Sequence, residues 1–110
     1  MITYEDFCRV ELRVGVVVKA EPFPRANKPA YKVWVDFGPE IGIKQTSAQI
    51  TNHYTLSNLP GRQVIGCVNL NPRNIAGFQS EFLLTGFADE QGFVCLATVD
   101  QKVPKGQKLH

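Results

Sequence analysis

Residues 11–38 read ELRVGVVVKAEPFPRANKPAYKVWVDFG, two alternating segments on either side of a proline-rich one. In the first segment apolar residues recur at every second position, which predicts a long half-buried strand that begins near Val10. Its predicted inner face carries Val10, Leu12, Val14, Val16 and Val18, and its outer face carries Glu11, Arg13, Gly15 and Lys19. Gly15, in the middle of this strand, predicts a bend or bulge of the kind that lets a small barrel curl.

A second strand follows the segment EPFPRANKPA, which we predict to be a loop because its three prolines remove donors from a strand ladder. Alternation resumes in YKVWVDFG and ends at Gly38-Pro39. The predicted inward residues are Tyr31, Val33, Val35 and Phe37, and the outward ones are Lys32, Trp34 and Asp36.

The remaining segments complete an all-β pattern with short connections. We predict a third strand over residues 41–47, a short helical connection over TNHYTLSNLPG (51–61), and strands over 63–70 and 93–99. A short N-terminal helix is capped by Thr3, has Glu5 and Asp6 in its first turn and ends by Cys8. Five to six short strands favour a five-stranded OB-type barrel over a sandwich.

The three cysteines, Cys8, Cys67 and Cys95, cannot close into a disulfide framework because their number is odd. Cys67 and Cys95 lie inside apolar runs, where a free thiol usually serves as a small core residue. Unpaired thiols suit a reducing compartment. No signal peptide and no apolar run long enough for a membrane span are recognisable, so we expect a cytoplasmic protein without membrane insertion.

Catalytic signatures are missing from the sequence. Two histidines are present, His53 and His110, and no nucleophile elbow, phosphate-binding glycine loop or dinucleotide fingerprint accompanies them. His53 and the cysteines are too scattered for a finger-type zinc site, and a Cys–His nucleophile is not expected from core-like thiols. We therefore predict a protein that is not an enzyme and has no cofactor and no metal site.

Residues 11–38, followed in order by TSAQIT (46–51), GRQVIGCVNLNPR (61–73) and QSEFLL (79–84), resemble the tRNA-binding domain family. The resemblance covers nearly the whole chain and implies an OB fold, which in that family stands alone or is appended to some aminoacyl-tRNA synthetases. The sequence departs from it at Ser80-Glu81-Phe82-Leu83, where many members that bind tRNA have Ser-x-Gly-Met.

Within that family, KPAYKVWVDFG followed by IGIKQTSAQIT is similar to the CsaA branch. This resemblance implies a homodimeric, export-related chaperone that binds unfolded or pre-secretory polypeptides and has a tRNA-binding barrel. The alternative is a tRNA-binding accessory factor that recognises tRNA structure. The two functions are compatible, because one barrel can present two faces.

The resemblance also implies one domain over residues 1–110, with a barrel core at about 9–100 and dimerising flanks at both ends. Segments 63–70 and 93–99 are apolar on both faces, and a second copy of the chain would cover them. The predicted interface residues are Ile2, Phe7, Val103, Pro104 and Leu109. The C-terminal VPKGQKL can run as an edge strand, and a frayed tail is the alternative.

Positive charge is concentrated in the middle of the chain. From Arg25 to Arg73 there are six basic and two acidic residues, whereas the remainder has six basic and eight acidic ones. This asymmetry predicts a cationic surface. Together with the resemblance it indicates a tRNA-binding set of Lys44, Arg62, Asn69, Arg73 and Ser80. Alternatively, Asn69 and Ser80 bond to backbone and the cations are solvated.

Two aromatic residues are candidates for binding polypeptide. Trp34 falls between Lys32 and Asp36 on the polar side of its strand, and Phe78 lies in the loop before Ser80. An apolar side chain or a base could pack on either ring. The alternative is that a neighbouring loop or a partner subunit covers them.

Overall fold

The computed structural model describes residues 1–110. One helix, α1 (Tyr4–Cys8), precedes nine strands. These are β1 (Leu12–Pro22), β2 (Tyr31–Asp36), β3 (Ile43–Ala48), β4 (Gln63–Cys67), β5 (Arg73–Ile75), β6 (Phe78–Ser80), β7 (Leu83–Leu84), β8 (Gly86–Ala88) and β9 (Val94–Leu96). With five residues, α1 is far shorter than a membrane-spanning helix, and the structure contains no helix that could cross a membrane.

Helix α1 begins at a capping box. Thr3 Oγ1 accepts a hydrogen bond from the Asp6 N–H (3.1 Å), and Asp6 Oδ2 accepts one from the Thr3 N–H (3.1 Å). Glu5 and Asp6 occupy the first turn, where unpaired backbone N–H groups favour negative charge. The predicted Thr3-capped helix that ends by Cys8 is confirmed.

Five strands form one antiparallel sheet in the order β3–β2–β1–β4–β7. The sheet curls until the residues just before β7 meet β3. There the Glu81 N–H donates to the Gln45 carbonyl (2.8 Å), and Thr46 Oγ1 donates to the Phe82 carbonyl (2.7 Å). These bonds leave the barrel nearly closed. The predicted all-β, five-stranded OB-type barrel is confirmed.

The interior of the barrel is filled by aliphatic and aromatic side chains from most of its strands. The core consists of Val17, Val33, Val35, Phe37, Ile50, Leu59, Val64 and Phe82. Val33, Val35 and Phe37 are 0% exposed, as the alternation in β2 predicted. The rings of Phe37 and Phe82 pack edge to face at 5.0 Å and join the two ends of the sheet across the core.

The face of β1 that packs against the interior is the opposite of the one that its alternation predicted. Val17 is 1% exposed and belongs to the core, whereas Val18 is 44% exposed. A Cβ on Gly15 would lie 2.4 Å from Val35 Cγ1, so position 15 also faces the core and has room only for glycine. The irregularity in the ladder lies between Val17 and Lys19, not at Gly15.

The C-terminal residues 103–110 pair with the edge of β1 in the same chain. The Gly106 N–H donates to the Val14 carbonyl (2.7 Å), the Val14 N–H to Gln107 (3.0 Å) and the Leu109 N–H to Leu12 (2.8 Å). These bonds occupy the half of β1 that β2 does not reach. Val14 is thereby only 7% exposed although it lies outside the core cluster. Alternation alone could not reveal the inner face, because tertiary packing buries residues on both faces of β1.

Two other predictions from local pattern are wrong. Residues 51–61 form successive turns rather than a helix. The Thr55 N–H donates to Asn58 Oδ1 (3.0 Å) and the Asn58 N–H donates to Thr55 Oγ1 (3.2 Å). Such local bonds between side chain and backbone compete with those of a helix. Cys95 is exposed rather than buried, since β9 pairs only with β8 in a separate two-stranded sheet. Cys67 is buried, as predicted.

Candidate functional site

A groove of about 720 Å³ runs along the barrel between β3 and the β5–β6 hairpin. Its apolar lining includes Ile50, Ile75, Leu83, Leu84 and Val94. A smaller hollow shares Ser47, Arg73, Ile75 and Leu83 with it and extends it toward Ser80 and Leu70. We call the two together the β3 groove. Because the two hollows are continuous and have an apolar floor, the groove can accept an extended chain.

The wall of the β3 groove is a tight hairpin, although its sequence had indicated a loop. Ala76 and Gly77 join β5 to β6 with φ values of 49° and 83°, the left-handed pair that a two-residue hairpin turn requires. Asn74 Oδ1 accepts the Gly77 N–H (3.0 Å) and holds the turn. The resulting register places Arg73 opposite Ser80, so a charged side chain lies at the centre of the groove.

The groove carries positive charge without compensating acids. Arg73 and Lys28 line it, no carboxylate does, and neither cation forms an ion pair. Arg25 lies next to the hairpin turn, with Nη1 3.9 Å from the position of a Cβ on Gly77. These three side chains are therefore free to meet an anionic or carbonyl-rich ligand.

Ser80 and Asn69, from the predicted tRNA-binding set, are engaged by the fold. Ser80 Oγ accepts the Ser47 N–H (3.1 Å) and thereby attaches the hairpin to β3. Asn69 Oδ1 accepts the Glu11 N–H (3.0 Å), and its Nδ2 donates to the Arg9 carbonyl (2.7 Å). Asn69 thus joins the end of β4 to the segment between α1 and β1.

Lys44 and Arg62 lie away from the β3 groove. Lys44 pairs with Val35 across β2–β3, is half-buried and lines neither hollow of the groove. The Arg62 guanidinium lies 5.0 Å from the centre of the Tyr54 ring and donates to the Asn58 carbonyl (3.4 Å). The structure therefore brings Arg73 and Ser80 together and separates the other three predicted residues from them.

The apolar residues of the groove, above all Ile75 and Leu83, are site residues that sequence reasoning missed. Ile75 stands alone in the polar segment NPRNIAG, and Leu83 is 53% exposed although it lies in a strand. An isolated aliphatic residue within the segment expected to bind ligands was the signal available for Ile75. Leu83 gave none, because its exposure depends on where β7 pairs.

Trp34 and Phe78 belong to one aromatic cluster beside the hairpin. The Phe78 ring packs edge-on against Phe23 (5.5 Å) and Trp34 (6.0 Å). Lys19 Nζ lies 4.6 Å from the Trp34 ring centre, and Lys32 Nζ lies 5.0 Å from the centres of both phenylalanine rings. Trp34 is half-buried by this packing, so a neighbouring hairpin covers part of it.

The predicted dimer residues lie near both ends of the chain. Ile2 is 72% exposed and Leu109 is 45% exposed, while Phe7 and Val103 are half-buried and Pro104 is exposed. Between β1 and the C-terminal segment lies a hollow of about 320 Å³. Its apolar lining consists of Leu12, Val14, Ile65, Val99, Val103 and Leu109.

Comparison with known proteins gives one family match over almost the entire chain. The family described as "Putative tRNA binding domain" matches residues 12–108. Methionine–tRNA ligase 1 of Bacillus anthracis is 37% identical over 108 residues, which are 98% of this chain and 16% of the ligase. The chain thus spans about a sixth of the length of the curated relatives it matches.

Solved structures resemble the chain over its full length. The chaperone CsaA of Bacillus anthracis str. Ames superposes with a TM-score of 0.93 at 43% identity, and the match covers 100% of this chain and 99% of the CsaA chain. The CsaA chaperone protein of Picrophilus torridus gives a TM-score of 0.92 at 44% identity, with 100% of both chains covered.

Proposed function

The chain belongs to the tRNA-binding domain family, and on this premise we propose that it is a non-catalytic, CsaA-like export-related chaperone that binds unfolded preproteins. The chain resembles two solved CsaA chaperones over its full length and over theirs, which supports this choice. It matches only a small part of the methionine–tRNA ligases, so their aminoacylation activity is not proposed for it. We place the protein in the cytoplasm, where its three free thiols stay reduced.

The single observation that carries the proposal is the composition of the β3 groove. An apolar floor with unpaired cations above it fits an extended polypeptide, whose apolar side chains fill the floor and whose carbonyl groups meet Arg73 and Lys28. The cluster around Trp34 and Phe78 offers a second apolar contact at the same hairpin.

tRNA is the second ligand, and the free guanidinium of Arg73 favours it. An arginine without an internal partner can bind a phosphate through two parallel hydrogen bonds. Lys28 and Arg25 extend the positive surface on the loop side of the groove, while Lys44 and Arg62 would contact more distant phosphates. Ser80 and Asn69 would then act by holding the hairpin and β4 in place.

We further propose that the protein is a homodimer built by its two flanks. Exposed Leu109 lines the apolar hollow between β1 and the C-terminal segment, and a second copy would cover this hollow together with the exposed Ile2 of the other flank. Phe7, Val103 and Pro104 complete the proposed interface. The domain would accordingly comprise residues 1–110, with its barrel core at about 9–100.

The two ligands can be separated by titrating a tRNA and an unfolded preprotein at several salt concentrations. Phosphate contacts weaken with salt at a log–log slope of roughly −0.7 to −0.9 each, whereas apolar capture changes little. Leu83→Ser should weaken preprotein binding alone, since Leu83 is exposed on the groove floor (53%). Ile43→Ser is the matched control, because Ile43 is equally exposed (58%) and lies outside the groove. Equal losses in both variants would refute the groove as the polypeptide site.

A further inference from the structure

Three side chains with metal-ligand chemistry meet on the outer side of the β8–β9 hairpin. His53 Nε2 lies 2.7 Å from Asp89 Oδ2, and these atoms and Cys95 Sγ all lie within 4.8 Å of one another. His53 comes from the turns after β3, Asp89 from the turn after β8, and Cys95 from β9. The residues are far apart in sequence, which is why their spacing indicated no metal site.

The carboxylate of Asp89 is oriented by the hairpin turn. Its Oδ1 accepts the N–H groups of Gln91 and Phe93 (both 2.9 Å), and its backbone bonds to Phe93 and Gly92 close the turn. Oδ2 is therefore the oxygen that points away from the turn toward His53. A ligand oxygen held in this way needs little reorganisation to bind an ion.

His53 and Cys95 are held together by bonds between their chain neighbours. The Leu96 N–H donates to the Tyr54 hydroxyl oxygen (2.8 Å), which fixes the turn segment against β9. The His53 ring also packs edge-on against Phe93, with 5.9 Å between centres. The imidazole and the thiol thus stay close although neither is buried.

We propose that His53, Asp89 and Cys95 form a binding site for a divalent transition-metal ion, with Zn²⁺ the best-fitting ion. Imidazole nitrogen, carboxylate oxygen and thiolate sulfur are the ligand types that zinc takes in proteins. In a tetrahedral zinc site the ligand atoms lie roughly 3 to 4 Å apart, so small side-chain movements are sufficient. The fourth position is left for water or an external ligand.

Binding requires a change of protonation at two of the ligands. The Cys95 thiol releases its proton, and the imidazole offers the Nε2 lone pair by carrying its proton on Nδ1 instead. The ion then takes the place of the hydrogen bond between His53 and Asp89.

A metal-binding role explains the cluster of His53, Asp89 and Cys95 better than a nucleophilic Cys–His pair does. None of His53, Asp89 and Cys95 lines any of the main clefts, so none of these clefts would hold a substrate against the thiol. An ion bound there would connect the turns after β3 to the β8–β9 hairpin, which is a separate two-stranded sheet. An ion that binds the folded state and not the unfolded state raises the stability of the protein.

The site is tested by titrating the reduced full chain with Co²⁺ and then with Zn²⁺. We expect one Co²⁺ per chain, a thiolate-to-cobalt charge-transfer band with the visible bands of tetrahedral Co²⁺, and loss of these bands when Zn²⁺ is added. Zn²⁺ should bind more tightly than roughly 10 µM and raise the unfolding temperature. Absence of saturable binding in this range would overturn the proposal.

Variants identify the ligands. Cys95→Ser should abolish the charge-transfer band, and His53→Ala should weaken binding at least roughly tenfold. Cys8→Ser and His110→Ala are the matched controls, because they remove a thiol and an imidazole away from the cluster, and both should bind as the wild type does. Unfolding of the metal-free variants checks that each one is folded. A band that survives in Cys95→Ser or disappears in Cys8→Ser would also overturn the proposal.

Discussion

The basic residues of the central segment and those outside it differ in whether they have acidic partners. None of the six basic residues from Arg25 to Arg73 forms an ion pair. Of the six outside that segment, all except Lys102 do, namely Arg9, Arg13, Lys19, Lys105 and Lys108. The fold therefore pairs most of the outer set of cations with its own acids and leaves the central set without acidic partners, although Lys32 and Arg62 of that set contact aromatic rings.

The paired set is concentrated where the C-terminal segment meets the barrel. Lys105 Nζ contacts Asp36 Oδ2 (2.8 Å), and Lys108 Nζ contacts Glu11 Oε2 (3.0 Å). Arg13 Nε also donates to Glu11 (3.0 Å), and its Nη1 donates to the Gly106 carbonyl (2.9 Å). Charge on this side stabilises structure, whereas charge along the β3 groove has no such role within the chain.

The largest expected effect comes from deleting residues 103–110. The deletion removes three backbone hydrogen bonds to β1, worth about 1 kcal/mol each, and exposes Val14. The free energy of unfolding should fall by about 3 kcal/mol or more in urea denaturation. Sedimentation should also show a monomer if the flanks build the dimer. An intact dimer with unchanged stability would show that the paired side is not structural.

An intermediate effect is expected from Arg73→Ala at the β3 groove. Affinity for tRNA should fall roughly tenfold, with the salt slope reduced by about one phosphate contact, while stability changes by less than about 0.5 kcal/mol. Lys102→Ala is the matched control, since Lys102 is also unpaired but lies outside the groove. Filter binding and thermal unfolding measure the two quantities. Equal losses of affinity would remove Arg73 from the site.

The smallest effect is a dependence of the C-terminal segment on pH. Hydrogen bonds from Arg13 and Lys108 hold the pKa of Glu11 below its ordinary value, and the hydrogen bond from Lys105 does the same for the pKa of Asp36. A carboxylate whose pKa is lowered by folding stabilises the folded state at every pH above its pKa in the unfolded chain, which is about 4. This stabilisation disappears as the pH falls through the pKa of the folded state.

Detachment of the segment in acid is therefore expected below about pH 4. The protection of the Gly106 and Leu109 amides against hydrogen exchange, followed by NMR, should fall in that range, before that of the β2 core does. Lys105→Ala should reduce the part of this dependence that Asp36 contributes. Protection at these two amides that stays constant down to pH 2, or that fails together with the β2 core, would contradict the assignment.

Features that depend on neighbouring residues were predictable from the sequence alone. The Thr3 cap, the inward set Val33, Val35 and Phe37 and the barrel class followed from local pattern and family resemblance. Such features need only the backbone period and nearby hydrogen bonds. The excess of positive charge in the middle of the chain was also readable as a count.

Tertiary structure alone decided which residues meet. It turned Gly15 and Val17 of β1 inward, left Arg73 unpaired in a groove and brought His53 next to Cys95. The physical reason is that strand pairing and barrel closure join segments tens of residues apart. A sequence period states that a strand has two faces, but only packing against distant strands determines which face is covered and which charge finds a partner.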